Sequence, residues 1–207
     1  MFVGKNIWQI LQMGGYTMYV LITCSIIALA VILERVFYYS RGRGLKREEY
    51  MRSIREALEK NDVQGALVLS EAKQPICRVV KAGLGYAGKT DDKINHAMER
   101  QINIEQKNLE QFTNILGTIG STVVYIGLFG TVVGIIRAFQ EISVSAGTGS
   151  GMGLVIEGIA EALVSTAAGI LVAVPSVIAY NLLIKRVEDF RIDMELCASE
   201  LADLLRN

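Results

Sequence analysis

From Ile115 to Ile136 the chain reads ILGTIGSTVVYIGLFGTVVGII, and from Ala162 to Ile184 it reads ALVSTAAGILVAVPSVIAYNLLI; neither run contains Asp, Glu, Lys or Arg. A helix rises about 1.5 Å per residue, so the roughly 30 Å hydrocarbon core of a bilayer takes about 20 apolar residues. Both runs meet that length. A third, Tyr16 to Leu33, is also uncharged, with Tyr16 and Tyr19 at one end and Phe37, Tyr38 and Tyr39 at the other. Rings at both ends of an apolar run match the aromatic belts of membrane interfaces. The sequence therefore predicts an all-α membrane protein with three transmembrane helices and long helical extensions outside the bilayer.

The remaining composition fits this reading. Of 207 residues 51% are hydrophobic, and 21 Lys and Arg balance 21 Asp and Glu. A mean hydropathy of +0.36 is high for a soluble domain. Formal neutrality excludes a nucleic-acid binder, whose bases would outnumber its acids, and the apolar content excludes disorder.

Position along the chain tells more than the balance. Of the basic residues 15 lie in 34–114 and 4 in 185–207, leaving Lys5 and Arg137. The positive-inside rule then puts the N-terminus outside and the C-terminus in the cytoplasm. Ala28-Leu29-Ala30 has the look of a signal-peptide cleavage site, but the basic cluster follows the apolar run instead of preceding it. The expected order is an outer tail 1–15, helix 16–33, a cytoplasmic helical segment 34–114, helix 115–136, an outer loop 137–158, helix 159–184 and a cytoplasmic C-terminal helix 185–207.

Within 34–114, Asn61-Asp62 marks a helix start, Pro75 an interruption, and Gly83, Gly85 and Gly88 a loosened stretch. From Thr90, residues Ile94, Met98, Ile102 and Leu109 keep helical spacing, so a helix is expected to run unbroken into the second span. Val187, Phe190, Met194, Leu201 and Leu205 do the same after the third. Cys24, Cys77 and Cys197 are scattered and form no CxxC, and His96 lacks a partner, so neither a metal site nor a cofactor is expected. The Gly- and Ser-rich stretch Ser143 to Gly153 reads as a flexible connector, without the Lys-Ser or Lys-Thr of a phosphate loop.

The strongest pattern is a stripe of small residues on the second span, Gly117, Gly120, Val124, Gly127, Thr131, Gly134 and Ala138, spaced alternately three and four. The third span carries a counterpart at Ala162, Thr166, Gly169, Ala173 and Ser176. Small residues at this period let membrane helices approach closely. Each stripe has one threonine, and both threonines fall about 10 Å below the outer surface at 1.5 Å per residue. Either the stripes only pack helices, or they also line a narrow polar path with hydroxyls facing it. Glu161 adjoins the third apolar run, and with Glu157 four residues earlier it forms a candidate acidic mouth for cations. Pro175 frees the carbonyl of Leu171 and is an expected kink.

Two stretches, YIGLFGTVVGI from Tyr125 and GIAEALVSTAAGILVAVPSVIAYN from Gly158 to Asn181, resemble the MotA/TolQ/ExbB proton-channel family. The resemblance extends to Glu34-Arg35 and to the order of one span, a polar segment and two further spans. Three spans instead of four match the ExbB or TolQ branch, and the choice between those two stays open. The resemblance implies a bacterial inner-membrane pentamer enclosing two copies of an ExbD-like or TolR-like single-span partner. Proton flow would then drive work on a TonB-like or TolA-like protein. It further implies a pathway lined by Thr131, Thr166 and Glu161, with the titrating aspartate supplied by the partner. Val133 and Val124 stand where that family often has tryptophan and proline.

The residues themselves agree on one point. A threonine hydroxyl does not titrate near neutral pH, so a proton relay needs a carboxylate from elsewhere. The competing expectation is a structural scaffold whose stripes only pack helices. An enzyme is not expected, because no nucleophile–base pair or acid cluster lies in or beside the spans.

Overall fold

A computed structural model describes residues 15–41, 46–145 and 151–206. Seven helices account for the regular structure of those residues: α1 (Gly15–Arg41), α2 (Arg47–Glu59), α3 (Val63–Leu69), α4 (Pro75–Leu84), α5 (Asp91–Glu110), α6 (Thr113–Ser145) and α7 (Gly151–Arg206). Three of them are long and apolar enough to cross a bilayer, over Gly15–Tyr39, Thr113–Gln140 and Gly158–Arg206. The fold is all-α, and the chain is an integral membrane protein.

The chain divides into two compact units, one comprising residues up to Leu33 with Phe112–Asn181, the other Glu34–Gln111 with Leu182–Asn207. In the first, the stripes of α6 and α7 are buried against each other while the large apolar side chains point outward. Ala138, Ala162, Ala173 and Ser176 are almost wholly covered, whereas Leu128, Phe129, Leu163 and Leu171 are exposed. This inversion of a water-soluble core is what lipid demands: bulky side chains lose nothing by facing hydrocarbon, and small ones allow backbone contact. Helix α1 joins through Met18, Leu21 and Ala28, which are buried.

The second unit is packed as in a soluble domain. Met51, Ile54, Val79, Val80, Met98, Met194 and Leu201 are fully covered, each such side chain contributing about 1.5–3 kcal/mol relative to exposure. Helix α3 starts where expected, with the Asp62 carboxylate accepting from the Gly65 N–H at 2.8 Å. Pro75 does not interrupt a helix; it opens α4, where its missing N–H is harmless. Gly83 lies inside α4, and a Cβ there would come within 2.7 Å of the Leu201 and Met98 side chains. Gly88 adopts φ +78° in the turn before α5, a conformation open to glycine.

The expected unbroken helix from Thr90 into the second span is not formed. α5 ends at Glu110, Gln111 is extended at ψ 133°, and Phe112 takes φ +66° before α6 begins. The carbonyls left open at the end of α5 are met by side chains of α1. Arg35, 3% exposed, donates to the carbonyls of Asn108 and Leu109, and the Tyr39 hydroxyl donates to Leu109 O at 2.7 Å. A cation at a helix C-terminus also complements its dipole.

The expected connector 143–153 is shorter in fact, since α6 continues to Ser145 and α7 starts at Gly151; residues 146–150 lie outside the described ones. α7 is continuous through Pro175.

Candidate functional site

The two stripes predicted from spacing face one another residue by residue. Atoms built as Cβ on Gly120, Gly127 and Gly134 would approach Val177, Ser165 and Ala162 to 2.6, 3.0 and 2.8 Å, and one on Gly169 would come within 3.0 Å of Val123 O. At Gly120 and Gly134 something must shift to admit a methyl, and at Gly127 and Gly169 the methyl would press on backbone atoms of the facing helix. Gly117 continues the stripe against the Tyr180 ring.

Where the backbones are closest, the two threonines meet. The Thr131 and Thr166 hydroxyls are hydrogen-bonded to each other, both half-buried. Each is also near a main-chain acceptor: Thr131 Oγ1 donates toward Gly127 O at 3.2 Å or Ala162 O at 3.3 Å, and Thr166 Oγ1 toward Gly127 O at 3.3 Å. Two hydroxyls have two protons to share among each other and these carbonyls, so the donors can be redistributed by rotating the C–O bonds alone. The arrangement is a small cluster of exchangeable hydrogen bonds that carries no charge of its own.

A second hydroxyl pair lies beside it and was not read from the sequence. Ser165, 1% exposed, pairs with Thr17 Oγ1 at 2.9 Å and so ties α1 to α7. Gly130 makes room for it, since a Cβ there would fall 2.1 Å from Ser165 Oγ and 2.6 Å from Thr17 Oγ1. The available signal was the dipeptide Ser165-Thr166: neighbours on a helix point about 100° apart, so two polar residues in succession serve two different helices. Gly130, one residue off the stripe, was the matching sign on α6.

Glu161 is half-buried on α7. It precedes Thr166 by five residues, which places it about 140° around the helix from that hydroxyl. The threonines are thus brought together and Glu161 stands on another face. The Glu157 side chain, the other half of the expected acidic mouth, falls outside the described residues.

Comparison with known proteins bears on the same segment. Residues 71–196 match the MotA/TolQ/ExbB proton channel family, more than half of the chain. The putative biopolymer transport protein ExbB-like 3 of Synechocystis is 28% identical over 169 residues, 81% of this chain and 80% of that protein. The biopolymer transport protein ExbB of Pseudomonas putida is 31% identical over 67% of this chain and 42% of its own length. The Tol-Pal system protein TolQ of Pseudomonas aeruginosa reaches 45% identity over 89 residues, 42% of this chain and 37% of the relative.

Proposed function

Because the chain belongs to the MotA/TolQ/ExbB proton channel family, we propose that it is a channel subunit of the bacterial inner membrane, with its N-terminus in the periplasm and its C-terminus in the cytoplasm. Five copies form a ring around two copies of an ExbD-like or TolR-like partner with a single span. Protons crossing the ring drive movement of a TonB-like or TolA-like protein. The relatives are named for both biopolymer transport and the Tol-Pal system, so the process energised is one of these two kinds.

The observation that carries this reading is the Thr131–Thr166 hydroxyl pair, seated between two backbones in close contact. Alanine would serve close packing at these positions, and the hydroxyls add an exchangeable hydrogen bond to it. Two hydroxyls that can exchange donor and acceptor roles are suited to pass a proton toward a carboxylate that the partner supplies. A carboxylate at Glu161, near the outer end of α7, would concentrate cations when ionised. Each proton that crosses releases about 2.3 kcal/mol per 100 mV, so a mechanical stroke on a large partner draws on several crossings.

The test is proton uptake by vesicles containing this chain and its single-span partner. Thr166→Val keeps the size and removes the hydroxyl. Interhelical hydrogen bonds in membranes contribute about 0.6 kcal/mol on average and about 1.7 at most, so the variant assembles. Uptake is expected to fall by more than tenfold. If Thr131→Val and Thr166→Val both conduct like the wild type, the pathway reading fails and a scaffold, favoured by the mutual burial of the two stripes, takes its place.

A further inference from the structure

A cleft of about 550 Å³ opens on the second unit, lined by Tyr38, Tyr39, Lys73, Gln74, Arg78 and Phe190 among others. Its chemistry is split. Lys73 is exposed. Among the described residues Arg78 donates through Nη1 to the Glu105 carboxylate, at 3.0 and 3.1 Å, leaving its Nε and Nη2 donors for another acceptor. Gln74 needs the opposite partner: its Oε1 is buried and accepts no hydrogen bond among the described residues. A buried acceptor without a donor costs about 1–3 kcal/mol, and neither cation satisfies it here. The ligand that fits has an anionic group for Lys73 and Arg78 and a hydroxyl to donate to Gln74. Three aromatic rings, Tyr38, Tyr39 and Phe190, add an apolar wall.

The depth of the cleft indicates its source. On α1, Tyr38 stands five residues past Leu33, the end of the first apolar run, and on α7 Phe190 stands six past Ile184, the end of the third. At about 1.5 Å per residue that is about 8–9 Å beyond each run. The polar layer of a bilayer adds roughly 5–8 Å to each side of its hydrocarbon core. Counted along α1 and α7, Tyr38 and Phe190 therefore fall at the outer edge of that polar layer, on the side where the basic residues are concentrated.

We propose that this cleft binds the headgroup of an anionic phospholipid from that leaflet, with the phosphate between Lys73 and Arg78 and a headgroup hydroxyl on Gln74. The lipid would brace α1, α4 and α7 where they meet the membrane surface. Binding here is independent of proton conduction and is read without it.

The experiment uses the full chain, purified in detergent and exchanged into mixed micelles carrying phosphatidylglycerol or phosphatidylcholine, with retained lipid counted by native mass spectrometry. The wild type is expected to retain phosphatidylglycerol about tenfold more strongly than phosphatidylcholine, and Lys73→Gln to remove about tenfold of that retention, the size of one charge-assisted contact. Lys73 is exposed, so an unchanged melting curve shows that the variant is folded. The idea is overturned if Lys73→Gln retains phosphatidylglycerol like the wild type, or if phosphatidylcholine is held equally well. It is also overturned if soluble glycerol 3-phosphate binds with the affinity of the lipid, since the site would then serve a free phosphate ester.

Discussion

The contact at Gly127 allows a prediction with a magnitude. Replacing it with alanine places a methyl 3.0 Å from Ser165 O, 3.2 Å from Thr166 Cα and 3.3 Å from Gly169 Cα. All three are backbone atoms of α7, so no rotamer change relieves the overlap. Ordinary contacts of this kind lie near 3.5–4.0 Å, so the facing helix must give by a few tenths of an ångström, which weakens each neighbouring dispersion contact. Overpacking of this kind costs about 1–3 kcal/mol, against roughly 1 kcal/mol gained because alanine favours the helix over glycine. The net loss at Gly127 is then about 0–2 kcal/mol, or about 1–3 kcal/mol relative to a helix position where only the favourable term acts. Gly153 is the matched control, for nothing lies within 4 Å of a Cβ built there, and only the favourable term remains. The assay is equilibrium unfolding of the purified chain in mixed micelles with increasing dodecyl sulfate. A Gly127→Ala protein that unfolds at the same point as Gly153→Ala would refute the inference that the backbones of α6 and α7 touch at this level.

Two further predictions concern the second unit. Glu105 has a side chain only 2% exposed, held by Arg78 and by Gln101 Nε2 at 2.8 Å, so Arg78→Met strands a buried carboxylate and should cost about 3–5 kcal/mol; thermal melts should show most of that loss recovered in the Arg78→Met, Glu105→Leu double variant. Cys77 is fully covered, and burial raises its thiol above the usual 9.0. The folded state thus favours the protonated thiol: this contribution to stability is complete below about pH 9 and is lost as the pH climbs through the raised value. Maleimide labelling should accordingly be slow at Cys77 and Cys197 until the chain unfolds, and denaturation midpoints should fall with rising pH above 9 less steeply in Cys77→Ala.

How far the sequence could be read depended on whether the governing interaction was local. The spans were legible because a helix in water seldom goes some twenty residues without a charge, whereas one crossing a bilayer must. The stripes were legible because a regular spacing of glycines on an apolar helix serves close approach. The break at Gln111 and Phe112 was not legible. Neither residue is a glycine or proline, and the side chains that meet the last carbonyls of α5, Arg35 and Tyr39, come from some seventy residues earlier. Glu105 was hidden for a similar reason: in a helix rich in Lys, Glu and Gln it looks solvated, and only the fold supplies Arg78. At the candidate site the threonines could be placed at one level by counting, whereas the Thr17–Ser165 pair required knowing that α1 packs against α7.

The alternation of threes and fours along α6 also limits how this chain can change its length. Steps of three and four repeat every seven residues, so inserting or deleting seven between Gly120 and Thr131 returns every later small residue to nearly the same azimuth, short by about 20°, with a shift of about 10 Å along the axis. A single inserted residue instead turns all that follows by about 100°, swinging Thr131 off Thr166 and putting Val133 in the place of Gly134 against Ala162. The register of this helix against α7 is counted in whole double turns.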